Sequence, residues 1–255
     1  MAKLVLALMI CVFGSSAYAE GARPALTVDS ANDPIPSIEE QLREHHVAIN
    51  KAALVAALMD PDADVRALAA AALGDAKIAG RSRKVRGALR IAMAKEIDPE
   101  AKIWMAGTLL DMGDLRGDDV LRQMCGDLKL GASIRLTAAR FVVSNDKFAC
   151  HEDVLKIAAT GSPVERLQAF SVLDRYRALP ERERSDDLAI MCRELDDPDT
   201  WVRQEAITAL GYSGLQGAIQ CLEDAMANET QQSVRSLIQT SIDKLEEWKW
   251  KKKHR

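Results

Sequence analysis

One fifteen-residue phrase occurs twice in this chain, and few folds can accommodate it. Asp60 to Gly74 reads Asp-Pro-Asp-Ala-Asp-Val-Arg-Ala-Leu-Ala-Ala-Ala-Ala-Leu-Gly, and Asp197 to Gly211 repeats it without a gap, with nine of the fifteen positions identical. The phrase specifies a helix. An Asp before Pro supplies a cap and a residue pre-set for the first turn, and a second Asp puts negative charge near the positive end of the helix dipole. Val65, Ala69, Ala72 and Leu73 then fall on one face of a 3.6-residue period, as do Val202, Ala206, Ala209 and Leu210. Gly74 and Gly211 close the two helices in a position suited to a left-handed cap.

Weaker copies lie between and beyond. With Val65 and Val202 as the marker, related patterns start at residues 102, 134, 165 and 234, which is a period fit for two short helices and two turns. An apolar-faced partner helix precedes each marker: 52–59, 84–95, 118–128, 152–159, 186–195 and 215–227. Ser162-Pro163-Val164-Glu165 is a capping box, so a helix starts there even though the marker has become Glu165. With 48% apolar but only 4% aromatic residues, the core must be built from Ala, Leu, Val, Ile and Met. No alternating β-branched run flanks a hairpin turn. An all-α stack of about six antiparallel helix pairs is therefore expected, each pair burying its apolar face against its neighbours.

The motif Asp-Pro-Asp-x-x-Val-Arg-x-x-Ala-x-x-Ala-Leu-Gly resembles that of HEAT-repeat proteins, in the short form also seen in phycobilin-lyase-like repeats, from about Ile38 to Trp248. The resemblance implies an α-solenoid, a HEAT-like superhelix. It also implies a ladder in which an acid six residues ahead of an Arg stacks from repeat to repeat. Asp60, Asp197 and Glu229 stand at that spacing before Arg66, Arg203 and Arg235, and Arg135 and Arg166 occupy the equivalent Arg position. Lys129 and Thr160 replace the acid in middle repeats, and Ile103 stands in place of one Arg.

The ends of the chain read differently. Residues 1–19 have a short basic start, an apolar run from Leu4 to Phe13 and an Ala17-Tyr18-Ala19 cleavage site, the pattern of an export signal. Cys11 follows a lipoprotein-like Leu8-Met9-Ile10, but Met9 and Ile10 stand where small residues are expected. Residues 20–37 are a proline-bearing linker, 38–248 the repeat domain and 249–255 a basic tail. Periplasmic or secreted placement in a bacterial envelope follows as an expectation. After cleavage Cys125, Cys150, Cys192 and Cys221 remain. Sequence-neighbour pairing would staple adjacent repeats, whereas three of the four also sit on apolar helix faces, where free cysteine serves as a small hydrophobe.

Without the signal's Lys3 and the five Lys and Arg of the tail, 28 basic residues face 38 acidic ones, near −10. Such a body is unsuited to wrapping nucleic acid. Trp248, Trp250 and the tail lysines fit either weak contact with an anionic membrane surface or a solvated helix end.

Catalytic ingredients are sparse. His45, His46, His151 and His254 form no His-Glu-x-x-His motif, no Cys-x-x-Cys exists, and Gly211-Tyr212-Ser213-Gly214 reads as a turn rather than a nucleophile elbow. No catalytic residue, metal ligand or cofactor is expected. On the second helix of each pair, positions two and six after the marker point away from the apolar face. They offer Trp104, Leu136 and Leu167 beside Arg140 as an exposed strip for a protein or peptide partner. The expected role is an exported scaffold binding through its concave side. The alternatives are a lyase-like or cofactor-complex accessory enzyme and a purely structural envelope protein.

Overall fold

The computed structural model describes residues 36–80, 82–146 and 148–253, and all regular structure among them is helical. Residues 1–19, expected to be an export signal, the expected linker up to residue 35 and the end of the tail lie outside the described residues.

Among the described residues thirteen α-helices follow one another: α1 (Ile38–Glu44), α2 (Lys51–Ala57), α3 (Ala63–Ala72), α4 (Arg83–Lys95), α5 (Pro99–Asp111), α6 (Leu115–Gly126) and α7 (Ala132–Val142). Then come α8 (His151–Thr160), α9 (Pro163–Leu173), α10 (Ser185–Arg193), α11 (Thr200–Ser213), α12 (Ala218–Asn228) and α13 (Gln232–Lys253). Helices begin where short polar side chains can take up the first free N–H groups. Asp62 and Asp199 cap α3 and α11, Asp98 caps α5, and Ser162 with Glu165 forms a full capping box on α9. The cap in the repeated phrase is thus its second Asp. The first, Asp60 or Asp197, uses its carboxylate to accept the N–H of that second Asp, which closes the turn ahead of the helix.

The closing glycines also have another job. Gly74 and Gly211 are not left-handed; Gly214, with φ of 66°, ends α11. A Cβ on Gly211 would stand 2.7 Å from Ser241 Oγ and 3.1 Å from its Cα, so the missing side chain lets α11 lie against α13. The Trp248 ring covers Gly214, 3.4 Å from where a Cβ would be.

The chain divides into two compact units, residues 1–123 and 124–255, with the boundary inside α6. In the first unit α2 packs on α4 and α3 on α5, which puts first helices in one layer and second helices in the other; α1 packs on α3. In the second unit α8, α10 and α12 form one layer and α7, α9, α11 and α13 the other. Each helix pair leans on the next, the architecture of an α-solenoid. Alanine allows the close approach: Ala69, Ala70, Ala101, Ala106, Ala138, Ala169 and Ala206 are fully buried.

One repeat is longer than the others. Two short 3₁₀ turns, Asp174–Ala178 and Glu181–Glu183, separate α9 from α10. Arg184, 2% exposed, fastens this insertion through Asp187 Oδ2 and the Ser213 carbonyl, both at 2.8 Å. Asp187 in turn meets His151 Nε2 at 2.8 Å, and Tyr176 donates to the Ala149 carbonyl at 2.6 Å. Both sequence-neighbour disulfides are formed. Cys125–Cys150 ties α6 to the start of α8, and Cys192–Cys221 ties α10 to α12.

Candidate functional site

The ladder arginines do two jobs at once. Within a repeat, Arg66 Nη1 donates to the Asp60 carbonyl and Arg203 Nη1 to the Asp197 carbonyl, both at 2.8 Å, and Arg235 Nη1 to the Glu229 carbonyl at 2.9 Å. Between repeats, Arg66 grips Glu96 with two bonds at 2.6 and 2.8 Å, Arg203 meets Glu229 at 3.1 Å, and Arg166 meets both Glu194 and Asp197. The acid six residues ahead therefore serves its own Arg through the main chain and the preceding repeat's Arg through its carboxylate. Arg66 holds the Glu96 carboxyl below the usual range; at Glu229 the Gln231 N–H does most, followed by Arg203. Arg135 departs from the pattern, donating to the Cys125 carbonyl and to Asp153.

The second repeat needs a correction of register. Counting three residues from the cap gives Val65 and Val202 in α3 and α11 but Ala101, not Lys102, in α5. Lys102 then takes the Arg position and donates to the Glu96 carbonyl at 3.4 Å, six residues back as in the other repeats. Glu96 is the acid, and neither Ile97 nor Ile103 belongs to the ladder.

This slip also moves Trp104, and the exposed strip does not form as expected. Trp104 and Leu136 are 4% and 2% exposed and belong to the core; Leu167 and Arg140 are half-buried. The reason is that a second helix packs on its partner helix and on other second helices too. A residue opposite the marker can therefore still face a neighbour. The large exposed apolar side chains lie elsewhere, several of them at the turn between paired helices: Met59, Ile97 at 93%, Leu128, Val164 and Trp201.

What the second-helix layer of the second unit does contain is a row of polar side chains. Three residues after the corrected marker the chain reads Leu68, Trp104, Thr137, Gln168, Glu205 and Leu237, so polar residues occupy three consecutive repeats at a position beside the core. The signal for this row is written in the sequence one position away from the two that point straight out from the apolar face. Glu205 of α11 is half-buried, and protein surrounds it closely enough that desolvation, with the negative charge of Asp174 next, pushes its carboxyl up to about 7. Arg140 of α7 acts on it with opposite sign. Burial likewise raises the Asp174 carboxyl, and burial pulls the Arg140 and Arg175 guanidinium groups down, Arg140 further through the like charge of Arg175. Gln168 Oε1 and Asp174 Oδ1 are buried and have no hydrogen-bond partner among the described residues. Half-buried Arg175 makes no ion pair or hydrogen bond among the described residues. No nucleophile is poised in the row, since Ser171 Oγ is committed to the Gln168 carbonyl.

His45 and His46 are exposed at the end of α1. Among the described residues no group of His, Cys, Asp and Glu is arranged to hold a metal, and no helix is long and apolar enough to cross a membrane.

The family model described as HEAT repeats matches residues 152–243. Over that segment the chain matches HEAT repeats, and the stacked helix pairs make the described fold an all-α, HEAT-like solenoid. No curated protein matches. Among solved structures, an engineered protein is similar at 17% identity, covering 76% of this chain and 95% of its own, with a TM-score of 0.47. Human deoxyhypusine hydroxylase in complex with glycerol is similar at 15% identity over 77% of this chain and 84% of its own, with a TM-score of 0.33. At these TM-scores neither likeness speaks to what the chain does.

Proposed function

We propose that this chain is an exported HEAT-repeat scaffold that holds a protein or peptide partner on the second-helix layer of its second unit. HEAT repeats generally mediate protein interactions. The observation that carries the reading is the polar row. A buried acceptor with no donor costs about 1–3 kcal/mol, and two are kept here, Gln168 Oε1 in the row and Asp174 Oδ1 in the 3₁₀ turn that follows α9. The outer repeats carry Leu68 and Leu237 where Gln168 and Glu205 stand, so the repeat fold itself does not call for polar side chains there.

Export is supported by the signal-like start of the sequence and by the two disulfides, which persist in oxidising compartments such as a bacterial periplasm or the cell exterior. Weak contact of the tail with an anionic membrane is the one additional reading. Helix α13 runs through Lys249 and Lys251, both exposed, and Trp250 is 63% exposed. Co-sedimentation with phosphatidylglycerol liposomes should fall when residues 249–255 are removed, and unchanged binding would rule the contact out.

The scaffold reading is tested by affinity capture from an envelope fraction, using wild type and a Gln168→Leu, Glu205→Gln double variant. A stoichiometric protein captured by the wild type and lost by the variant, at unchanged helical circular dichroism, is the expected result. Equal capture by both would refute a role for this row.

A further inference from the structure

We propose that the basic end of α13 in one copy of this chain docks on an apolar, acid-bearing edge of the second unit in another copy, a head-to-tail contact separate from the second-helix layer.

The edge is where paired helices turn. A short turn makes the two helices of a pair antiparallel, so α7, α9 and α11, packed side by side, all start at one side of the unit. Bonds between neighbouring turns join them. Arg193 Nη2 donates to the Ala159 carbonyl at 3.1 Å, Arg166 reaches Glu194 and Asp197, and Gln231 Nε2 meets Thr200 Oγ1 at 3.3 Å. Leu128, Val164 and Trp201 stand exposed at successive turns of this edge, Leu128 at 78%. Axes of packed helices lie roughly 8–10 Å apart, so these side chains form a stripe about 20 Å long rather than scattered singles.

Charge selects the occupant. The exposed Asp196 carboxylate has no ion pair or hydrogen bond among the described residues, and Asp127 and Asp199 lie half-buried next to the stripe. The bases nearby are Lys129 and Arg193, and Arg193 is paired with Glu194. Residues 249–255, by contrast, hold five Lys and Arg and no acid. Trp250, exposed among them, gives the segment an aromatic anchor of the kind that dominates interfaces. Lys251 pairs with Glu247, but both are exposed, and such a pair is worth little and readily exchanged.

The tail cannot reach the edge of its own unit. Helix α13 starts beside α11 at that edge, through the Gln231–Thr200 bond, and runs parallel to it until the Trp248 ring covers Gly214 at the far end. The 14 residues of α11 are about 21 Å long at roughly 1.5 Å each. Residues 249–253 therefore continue the helix past the opposite edge. Another copy must bring a tail to these turns. Because tail and edge are different surfaces, the contact is heterologous and repeats from copy to copy.

Sedimentation velocity on the disulfide-bonded protein tests this. Wild type should sediment faster as its concentration rises, and raising salt from about 0.05 M to about 0.5 M should weaken the association by about tenfold or more through screening. Removing residues 249–255, which leaves Trp248 over Gly214, should give a monomer. So should Asp196→Lys combined with Trp201→Ser, at unchanged helical circular dichroism. One of these monomers keeps the edge and the other keeps the tail, so mixing them should give a 1:1 dimer that grows no further. If the edge variant loses helicity, Asp196→Lys alone enters the mixture in its place. Wild type that stays monomeric at low salt, a truncated protein that still associates, or a mixture without dimer would each overturn the contact. In the first case, tail-dependent binding to phosphatidylglycerol liposomes would assign the tail to a membrane instead.

Discussion

At the scale of single residues, Glu205 is the most informative side chain. Its folded-state carboxyl titrates near 7 because burial disfavours the charge and Asp174 adds to the cost, with Arg140 only partly compensating. An unfolded Glu titrates near 4.3, so between those values the folded state holds the extra proton. Stability from this site is therefore complete below about pH 4 and declines as pH rises through 7. Glu205→Gln cannot lose that proton. Thermal melting at pH 5 and pH 8 should show a variant whose advantage grows with pH to roughly 1–2 kcal/mol, discounted for partial exposure. Parallel pH profiles for the two proteins would contradict this account. Trp104 is core and not a surface anchor for a reason at the same scale. Asp98 caps α5 one residue earlier than the spacing of the Val-Arg phrase suggested, and one residue turns a helix by 100°. The acid of that repeat, Glu96, was hidden by the same slip.

At the scale of elements, ladder and glycine contacts set how one helix pair meets the next. Arg203 satisfies the Asp197 and Pro198 carbonyls and pairs with Glu229, whose side chain is almost fully covered. Truncating it frees these carbonyls and leaves the Glu229 carboxylate with only the Thr230 and Gln231 N–H groups, so Arg203→Ala should cost roughly 1–3 kcal/mol in urea unfolding. The exposed pair Arg43–Glu39, replaced in the same way, should cost less than about 1 kcal/mol. A similar cost for both would mean that the ladder is ornamental. Gly211→Ala is a sharper test of helix packing. Alanine favours an isolated helix by about 1 kcal/mol, yet here its Cβ would strike Ser241, so a net loss of roughly 1–3 kcal/mol is expected. A more stable variant would show that α11 and α13 can part at little cost. The repeated phrase showed that a Gly is needed at this position; that the need is close packing and not a left-handed turn depends on a helix, α13, that lies far along the chain.

For the whole molecule, both disulfides lie in the second unit and close loops across sequence separations of 25 and 29 residues. In the chain-entropy account loops of that size restrict the unfolded state by roughly 3–4 kcal/mol each. Alkylation without reductant should leave all four thiols of Cys125, Cys150, Cys192 and Cys221 unmodified by mass. Reduction should expose all four and lower the melting temperature by several degrees, and four alkylated thiols in the untreated protein would remove the argument for an oxidising compartment. By itself the sequence determined the helices, their pairing and the stacking ladder. These follow from local capping, a 3.6-residue period and a repeated phrase, all of which are written in contiguous residues. Only tertiary structure decided which faces stay open, which cysteines meet and where the buried polar row lies. Those outcomes depend on residues such as Arg140, Asp174 and Glu205 coming together from different repeats, and a one-residue shift in a single cap is enough to turn an expected surface into core.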